Sequence, residues 1–429
     1  MHSIIPAPGR VHGFPLSPPF EMRHLTQIIV WLGLVVAVCV PFPVAAEMDT
    51  VDGIKVGILL PLTGKMAEIG EMEKNAFDMA ADRINRSGGI KGQTLTLVLE
   101  DSGGPYERGA TAMKRLISET GVVAVAGGCA STTTYHAAAV AQELETPFLI
   151  STASADKLTT QGWSYIFRLT PPASEYLLPL KAFLKQAAKV KTAAVVFEEG
   201  PFGRFGHDRF KRLRRNAGLK LVRQDRFEEG VHDFRGILTK VKERHPDLVY
   251  MIAPGPADPA FLLRGARAVH LAPRLFFGHG PGFIHPHLPR YAGDAAEGVF
   301  SSTLWIPSVP YPGAEEFAAQ YEERYGSLPD YHGAQAHAAL WVVSDALKRA
   351  ESLSHSAVRD ALALTRMTTV FGPVQFEDYG DKTQQNRRPM LVVEWINQEL
   401  ETVWPAGSAS APYRFLRPQH KGHQSTRNP

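Results

Sequence analysis

The chain has 429 residues, 44% hydrophobic and 21% charged, with 46 lysines and arginines against 43 aspartates and glutamates and a net charge of +3. These values describe a soluble chain long enough for two domains and a sizeable core. So near a balance of charge argues neither for nor against nucleic acid, and no nucleic-acid partner is expected.

Residues 1–21 are rich in proline and histidine, show no periodicity and read as a non-structural extension ahead of Met22. Residues 22–46 have the layout of a cleaved secretory signal: a positive end (Arg23, His24), an apolar run (Leu25 to Val40), and Val44, Ala45 and Ala46 before the cut. The run is shorter than the ~20 residues that span a bilayer, which argues against an anchor. Lipoprotein processing at Cys39 is disfavoured by Val38, bulkier than the small residue such processing prefers. A periplasmic mature chain would keep Cys129 as its one cysteine and form no internal disulfide.

Ile54 to Ser102 reads as a strand, helix, strand unit: a buried strand (Val56 to Leu60), a small-residue loop (Pro61 to Gly70), a helix, and a second strand (Leu95 to Leu99). Phe77, Ala80, Ala81 and Ile84 share one helix face, and Glu71 and Glu73 are expected in the first turn, where the helix dipole favours negative charge. Ser87, Gly88 and Gly89 end the helix. A right-handed crossover makes the strands parallel and puts the loop LTGKMAEIG at the carboxyl edge, where open α/β sheets bind ligands.

This stretch, with its P-x-T-G loop and its helix ending N-x-x-GGI-x-G, resembles the opening of the periplasmic solute-binding proteins of branched-chain amino-acid ABC transporters. The resemblance implies an α/β fold of two doubly wound lobes, the type I periplasmic binding protein, joined by a three-segment hinge that closes on a ligand. It implies no cofactor, no enzymatic chemistry, permease subunits in the membrane as partners, and a monomer.

The rhythm continues with a helical face (Ala110 to Ile117), a strand (Val122 to Ala126), the loop GGCASTTT (Gly127 to Thr134), a strand (Phe148 to Ile150) and the loop STASA (Ser151 to Ala155). Hydroxyls and free N–H groups near helix starts suit a carboxylate or other anion. In the resembling family such loops hold the ligand carboxylate, which maps onto Ser131 or Thr132 and onto Ala153 and Ser154, with Ile69 leaning over the ligand.

Two prolines, Pro171 and Pro172, mark a change of domain, and a second α/β lobe follows, with edge loops EEGPFGRFG (Glu198 to Gly206), APGPADP (Ala253 to Pro259) and GHGPG (Gly278 to Gly282). Gly298 to Ser302 is expected to lead back to the first lobe, and the strands near Val374 to Phe376 and Met390 to Trp395 to return to the second. The expected division is 53–171 with 302–365, then 172–301 with 366–405, and a disordered tail over 406–429.

Amino-acid binders of the family neutralise the ligand ammonium with a glutamate where this chain has His279 and Gly280, and Phe202 replaces a tyrosine. A buried cation without its counter-charge costs several kcal/mol. The expected ligand is therefore a small carboxylated solute, an aromatic or aliphatic acid, with Phe202, Tyr331 and Trp305 as apolar walls. Branched-chain amino acids proper remain an alternative, with Glu198, Glu199 or Asp258 replacing the glutamate, as does a sensor subunit of the same fold. The S-x-x-K match at Ser154 to Lys157 lacks its companion motifs, and His279, His285 and His287 lack metal-ligand spacing.

Overall fold

The computed structural model describes residues 53–415 apart from 229 and 254–256, so the expected extension and signal segment lie outside the described residues. The first run of elements is β1 (Ile54–Leu60), α1 (Ala67–Arg86), β2 (Leu95–Asp101), α2 (Tyr106–Thr120), β3 (Ala124–Gly127), α3 (Ser131–Glu143), β4 (Phe148–Ile150) and β5 (Ile166–Arg168). The second is α4 (Leu178–Phe183), β6 (Thr192–Glu198), α5 (Pro201–Ala217), β7 (Lys220–Phe227), α6 (Arg235–Lys242), β8 (Leu248–Ile252), α7 (Asp258–Ala268), β9 (Leu275–His279), α8 (Leu288–Ala292) and β10 (Val299–Thr303). The third comprises α9 (Ala314–Tyr325), α10 (Tyr331–Arg349), α11 (His355–Ala363), β11 (Arg366–Thr369), β12 (Gly372–Tyr379), β13 (Lys382–Asn386), β14 (Leu391–Ile396) and β15 (Glu399–Trp404).

Two sheets result, ordered β11-β12-β13-β5-β4-β3-β1-β2 and β15-β14-β10-β9-β8-β6-β7. Strands β1 to β5 pair in parallel, as do β6 to β10, so each sheet gathers its strand-to-helix loops at one edge. Near-continuous Val, Ile, Leu and Ala runs fit strands covered on both faces. Phe77, Ala80 and Ile84 of α1 pack with Ala338, Leu340 and Val342 of α10 in the first sheet's core. Two cores flank the second sheet, one around Phe183, Phe210 and Tyr250 and one around Phe234, Leu262 and Phe283.

Several expectations need correction. The expected boundary at 301 falls two residues early: β10 pairs with β9 and β14 in the second sheet, and the crossing follows Thr303. Val374 to Phe376 belongs to the first sheet: β12 pairs with β11 and β13, β13 meets β5 at Gln385 and Arg168, and Val374 and Phe376 fill the first core. The return therefore follows Asn386, because the apolar side of this hairpin has its partners on the first sheet. Part of the expected tail is ordered: Tyr413 and Phe415 lie 5.6 and 6.1 Å from the Phe183 ring, and Arg414 N–H donates to Glu394 Oε2 at 2.8 Å. Residues 416–429 lie outside the described residues.

Candidate functional site

The carboxyl edge of the first sheet is built around a buried acid. Asp101, ending β2, accepts from Leu62 N–H at 2.9 Å and from the Thr63 hydroxyl at 2.7 Å, which holds the loop after β1. α1 starts only at Ala67, so Glu71 and Glu73 are not in its first turn as expected; Glu68 is. Glu73 instead occupies the inner face one turn before Phe77 and is fully buried.

Its carboxyl meets both hydroxyl loops. Thr152 Oγ1 donates to Glu73 Oε1 at 2.8 Å, Ser151 Oγ approaches Oε2 at 3.4 Å, and the Cys129 thiol is a further hydrogen-bonding neighbour. Gly128, at φ 81°, is needed here: a β-carbon would meet Thr134 Cγ2 at 2.7 Å. Burial raises the Glu73 pKa to about 7, opposed by the charge of His332 and by the Thr152 and Cys129 hydrogen bonds. His332 lies at the start of α10, where Asp330 caps the helix by accepting from His332 N–H at 2.8 Å and sits 3.0 Å from His332 Nδ1. Burial opposes the imidazolium, yet Asp330 and Glu73 together hold its pKa above the ordinary value.

The residues expected to hold a carboxylate are placed as follows. α3 begins at Ser131, so Ser131 and Thr132 are helical rather than in a loop. Ser131 Oγ accepts from Ala155 N–H at 3.2 Å, Thr132 faces solvent, and the N–H of buried Ala153 is taken by Gly128 O at 2.9 Å. Ser154 is half-buried, with its carbonyl accepting from Ala173 N–H at 2.7 Å. Ile69 is half-buried next to Gly70, and Tyr331 stacks on His332 at 4.0 Å, its phenol pKa driven well up by burial and then by Asp330. Trp305 is packed in the first core, its indole N–H donating to Val370 O at 2.8 Å.

The second sheet's edge is aromatic. α5 starts at Pro201, which puts Phe202 in a helical turn, and Phe202 stacks on His279 at 5.5 Å and 25°. Tyr250 lies 6.2 Å from His279 and 5.4 Å from Phe277 in near-parallel planes, continuing the column into the core. Gly206 permits the approach, since a β-carbon there would be 3.2 Å from His279 Cδ2 and 2.9 Å from Ile252 Cγ2. Burial lowers the His279 pKa to about 4, aided by the charge of Arg209, so the ring is neutral at pH 7. Glu198 accepts from Gly200 N–H at 2.6 Å and Glu199 pairs with Arg204 and Arg226 at 3.0 and 2.8 Å, so both are engaged locally.

The two edges meet through Ala173, at the first crossing. Its N–H goes to Ser154 O, and its carbonyl accepts from Arg209 Nη2. On another side burial and the neighbouring His287 hold the His285 imidazole, just past β9, below its ordinary pKa, with the charge of Glu68 of α1 opposing them. Among the described residues no group of three or more His, Cys, Asp or Glu side chains is placed to hold a metal ion. A groove of about 350 Å³ lined by Met79, Arg83, Arg86 and Arg324 belongs to α1 and α9 rather than to these loops.

Sequence reasoning missed Glu73 and Arg209. Both had a signal: Glu73 continues the spacing of Phe77, Ala80 and Ile84, and Arg209 lies seven residues after Phe202, on its helix face.

Known proteins share this architecture. A Leu/Ile/Val-binding protein homolog of Brucella abortus is 26% identical over 412 residues, covering 92% of this chain and all of that one. A branched-chain amino acid transporter substrate-binding protein of Streptococcus pneumoniae, solved with isoleucine, is 22% identical with a TM-score of 0.65, covering 82% of this chain and 98% of its own. An ABC transporter solute-binding protein of R. palustris, solved with benzoate, is 18% identical with a TM-score of 0.63, covering 86% of this chain and 98% of its own. At those identities the two structures speak to the fold, two α/β lobes. The family model described as periplasmic binding protein matches residues 53–399, which spans the first sheet, the second as far as the start of β15 and every loop just described, and the chain belongs to that family.

Proposed function

We propose that this chain is the extracytoplasmic solute-binding subunit of an ABC importer, holding a small carboxylate between its two sheet edges and releasing it chemically unchanged to permease subunits in the membrane. The reading includes export by the leader at 22–46 and action as a monomer. The observation that carries it is the Phe202–His279 stack: a neutral aromatic surface at the carboxyl edge of the second sheet, beside the hinge, suits the flat or branched apolar body of a small acid. Family membership supplies the transport context. Benzoate, 3,4-dihydroxybenzoic acid and isoleucine, the ligands of three solved neighbours, all carry a carboxylate. Hinge closure on such a solute fits three chain crossings between the sheets.

A thermal-shift panel of aromatic acids, aliphatic acids, branched-chain amino acids and neutral amides tests this, because a ligand bound only by the folded state raises the melting temperature. Stabilisation by acids without an ammonium group is expected. Stabilisation by leucine, isoleucine or valine alone would replace the ligand class with amino acids, and consumption of the ligand would replace binding with catalysis.

A further inference from the structure

We infer that Arg209 is the carboxylate-recognising residue of this cleft, so that a bound acid lies with its anionic end toward α5 and its apolar body on the Phe202–His279 surface. The inference rests on the solute-binding reading above and assigns its polarity. Phe202, Gly206 and Arg209 are spaced four and three apart, so they share one face of α5, the face that Gly206 brings against His279. The Arg209 guanidinium lies 4.9 Å over the Phe205 ring and donates through Nη2 to Ala173 O, which fixes its orientation. Its Nε–H and Nη1–H groups have no acceptor among the described residues, and its half-buried setting weakens screening of its charge.

Other cations near the hinge are committed. Arg168, fully buried, donates to Gln385 Oε1 at 2.6 Å, Ala155 O at 2.6 Å and Thr159 Oγ1 at 2.9 Å. Arg204 is paired with Glu199, and Arg388 donates to the Tyr311 hydroxyl at 3.0 Å and is enclosed by the Tyr311 and Phe371 rings, so that its unpaired Nη1 is buried away from any solute. The first sheet's edge is unsuited to an anion. Its Ser151 and Thr152 hydroxyls point to Glu73, its Ser131 oxygen accepts from Ala155, and Asp330 adds a second acid. A solute carboxylate there would face the Glu73 and Asp330 carboxyls, with the one imidazole, His332, already engaged by Asp330; at α5 it faces a guanidinium with free donors, whose nearest acid, Asp156, accepts from Ser174 N–H.

The test is titration calorimetry with benzoate and 3-methylbutanoate, each beside its amide (benzamide and 3-methylbutanamide), on the full mature chain and on Arg209→Gln and Arg209→Lys. In the unaltered protein each acid should bind more tightly than its amide. Arg209→Gln should bind the acids about tenfold to hundredfold more weakly and lose the preference over the amides, while Arg209→Lys retains part of it. A purely structural role would weaken acid and amide alike and would overturn the inference, as would undiminished acid binding by Arg209→Gln; either leaves the solute-binding reading intact. Failure of the unaltered protein to bind any acid would defeat that reading and the inference with it.

Discussion

The hydroxyl of Thr152 donates to Glu73 Oε1 at 2.8 Å, joining the loop after β4 to the inner face of α1 across 79 positions of sequence. Hydroxyls that looked available to a ligand thus serve an internal carboxyl instead, and the charge pattern of the cleft is set by that choice. Two acids with the His332 imidazole between them lie at the first sheet's edge, and a guanidinium lies at the second.

Glu73 makes stability depend on pH in a defined direction. The folded protein holds the Glu73 proton up to about pH 7, whereas an unfolded chain releases it near the ordinary 4.5. Its contribution is therefore fully present below pH 4.5 and is lost as pH rises through 7, a loss of about 3 kcal/mol across that window. Glu73→Gln should lack this loss, so denaturant midpoints of variant and unaltered protein should diverge in the variant's favour between pH 4.5 and 8. Parallel curves would show that Glu73 is not the titrating group.

Ser131→Ala removes the oxygen that accepts from Ala155 N–H. The expected result is a stability loss of about 1 kcal/mol with the preference for acid over amide unchanged. Selective loss of acid binding would instead support Ser131 as part of the carboxylate site that the family resemblance implied.

Gly206→Leu should force α5 away from Ile252 and His279. The better helix propensity of leucine is worth under about 1 kcal/mol, less than the 1–3 kcal/mol typical of overpacking, so the balance is destabilising. Thermal unfolding should show a lower midpoint, and any acid that binds should bind more weakly because the Phe202–His279 surface is displaced.

Ending the chain at residue 408 removes the rings of Tyr413 and Phe415 from Phe183 and Phe300, and the Arg414 N–H from Glu394. The apolar contacts alone predict a loss of about 2 kcal/mol in urea unfolding. An unchanged midpoint would show that this segment covers the second lobe without stabilising it.

Much of the architecture was legible because parallel sheets write themselves as apolar runs separated by helical spacing; Phe148–Ile150 matches its expected bounds. The hairpin at β12 and β13 was misassigned because alternation shows that a strand is half-buried, not which sheet it joins; the contact of Gln385 with Arg168 decides that, and it is 217 positions long. Tail residues Tyr413 and Phe415 looked aperiodic since they pack as isolated rings rather than as an element. Phe202 and His279 were singled out by matching their loops to the resembling family and their stacking needed the structure, whereas Glu73 and Arg209 sit inside helices whose spacing fits a plain packing face or solvated face equally well.

An acid captured between the two sheets should draw them together about the hinge. Small-angle X-ray scattering of the mature chain, with and without a saturating concentration of the acid that stabilises it most, tests this directly. The radius of gyration should fall with the acid bound and stay unchanged with its amide. An unchanged radius at saturation would contradict this, placing the solute outside the cleft or in a site that does not close.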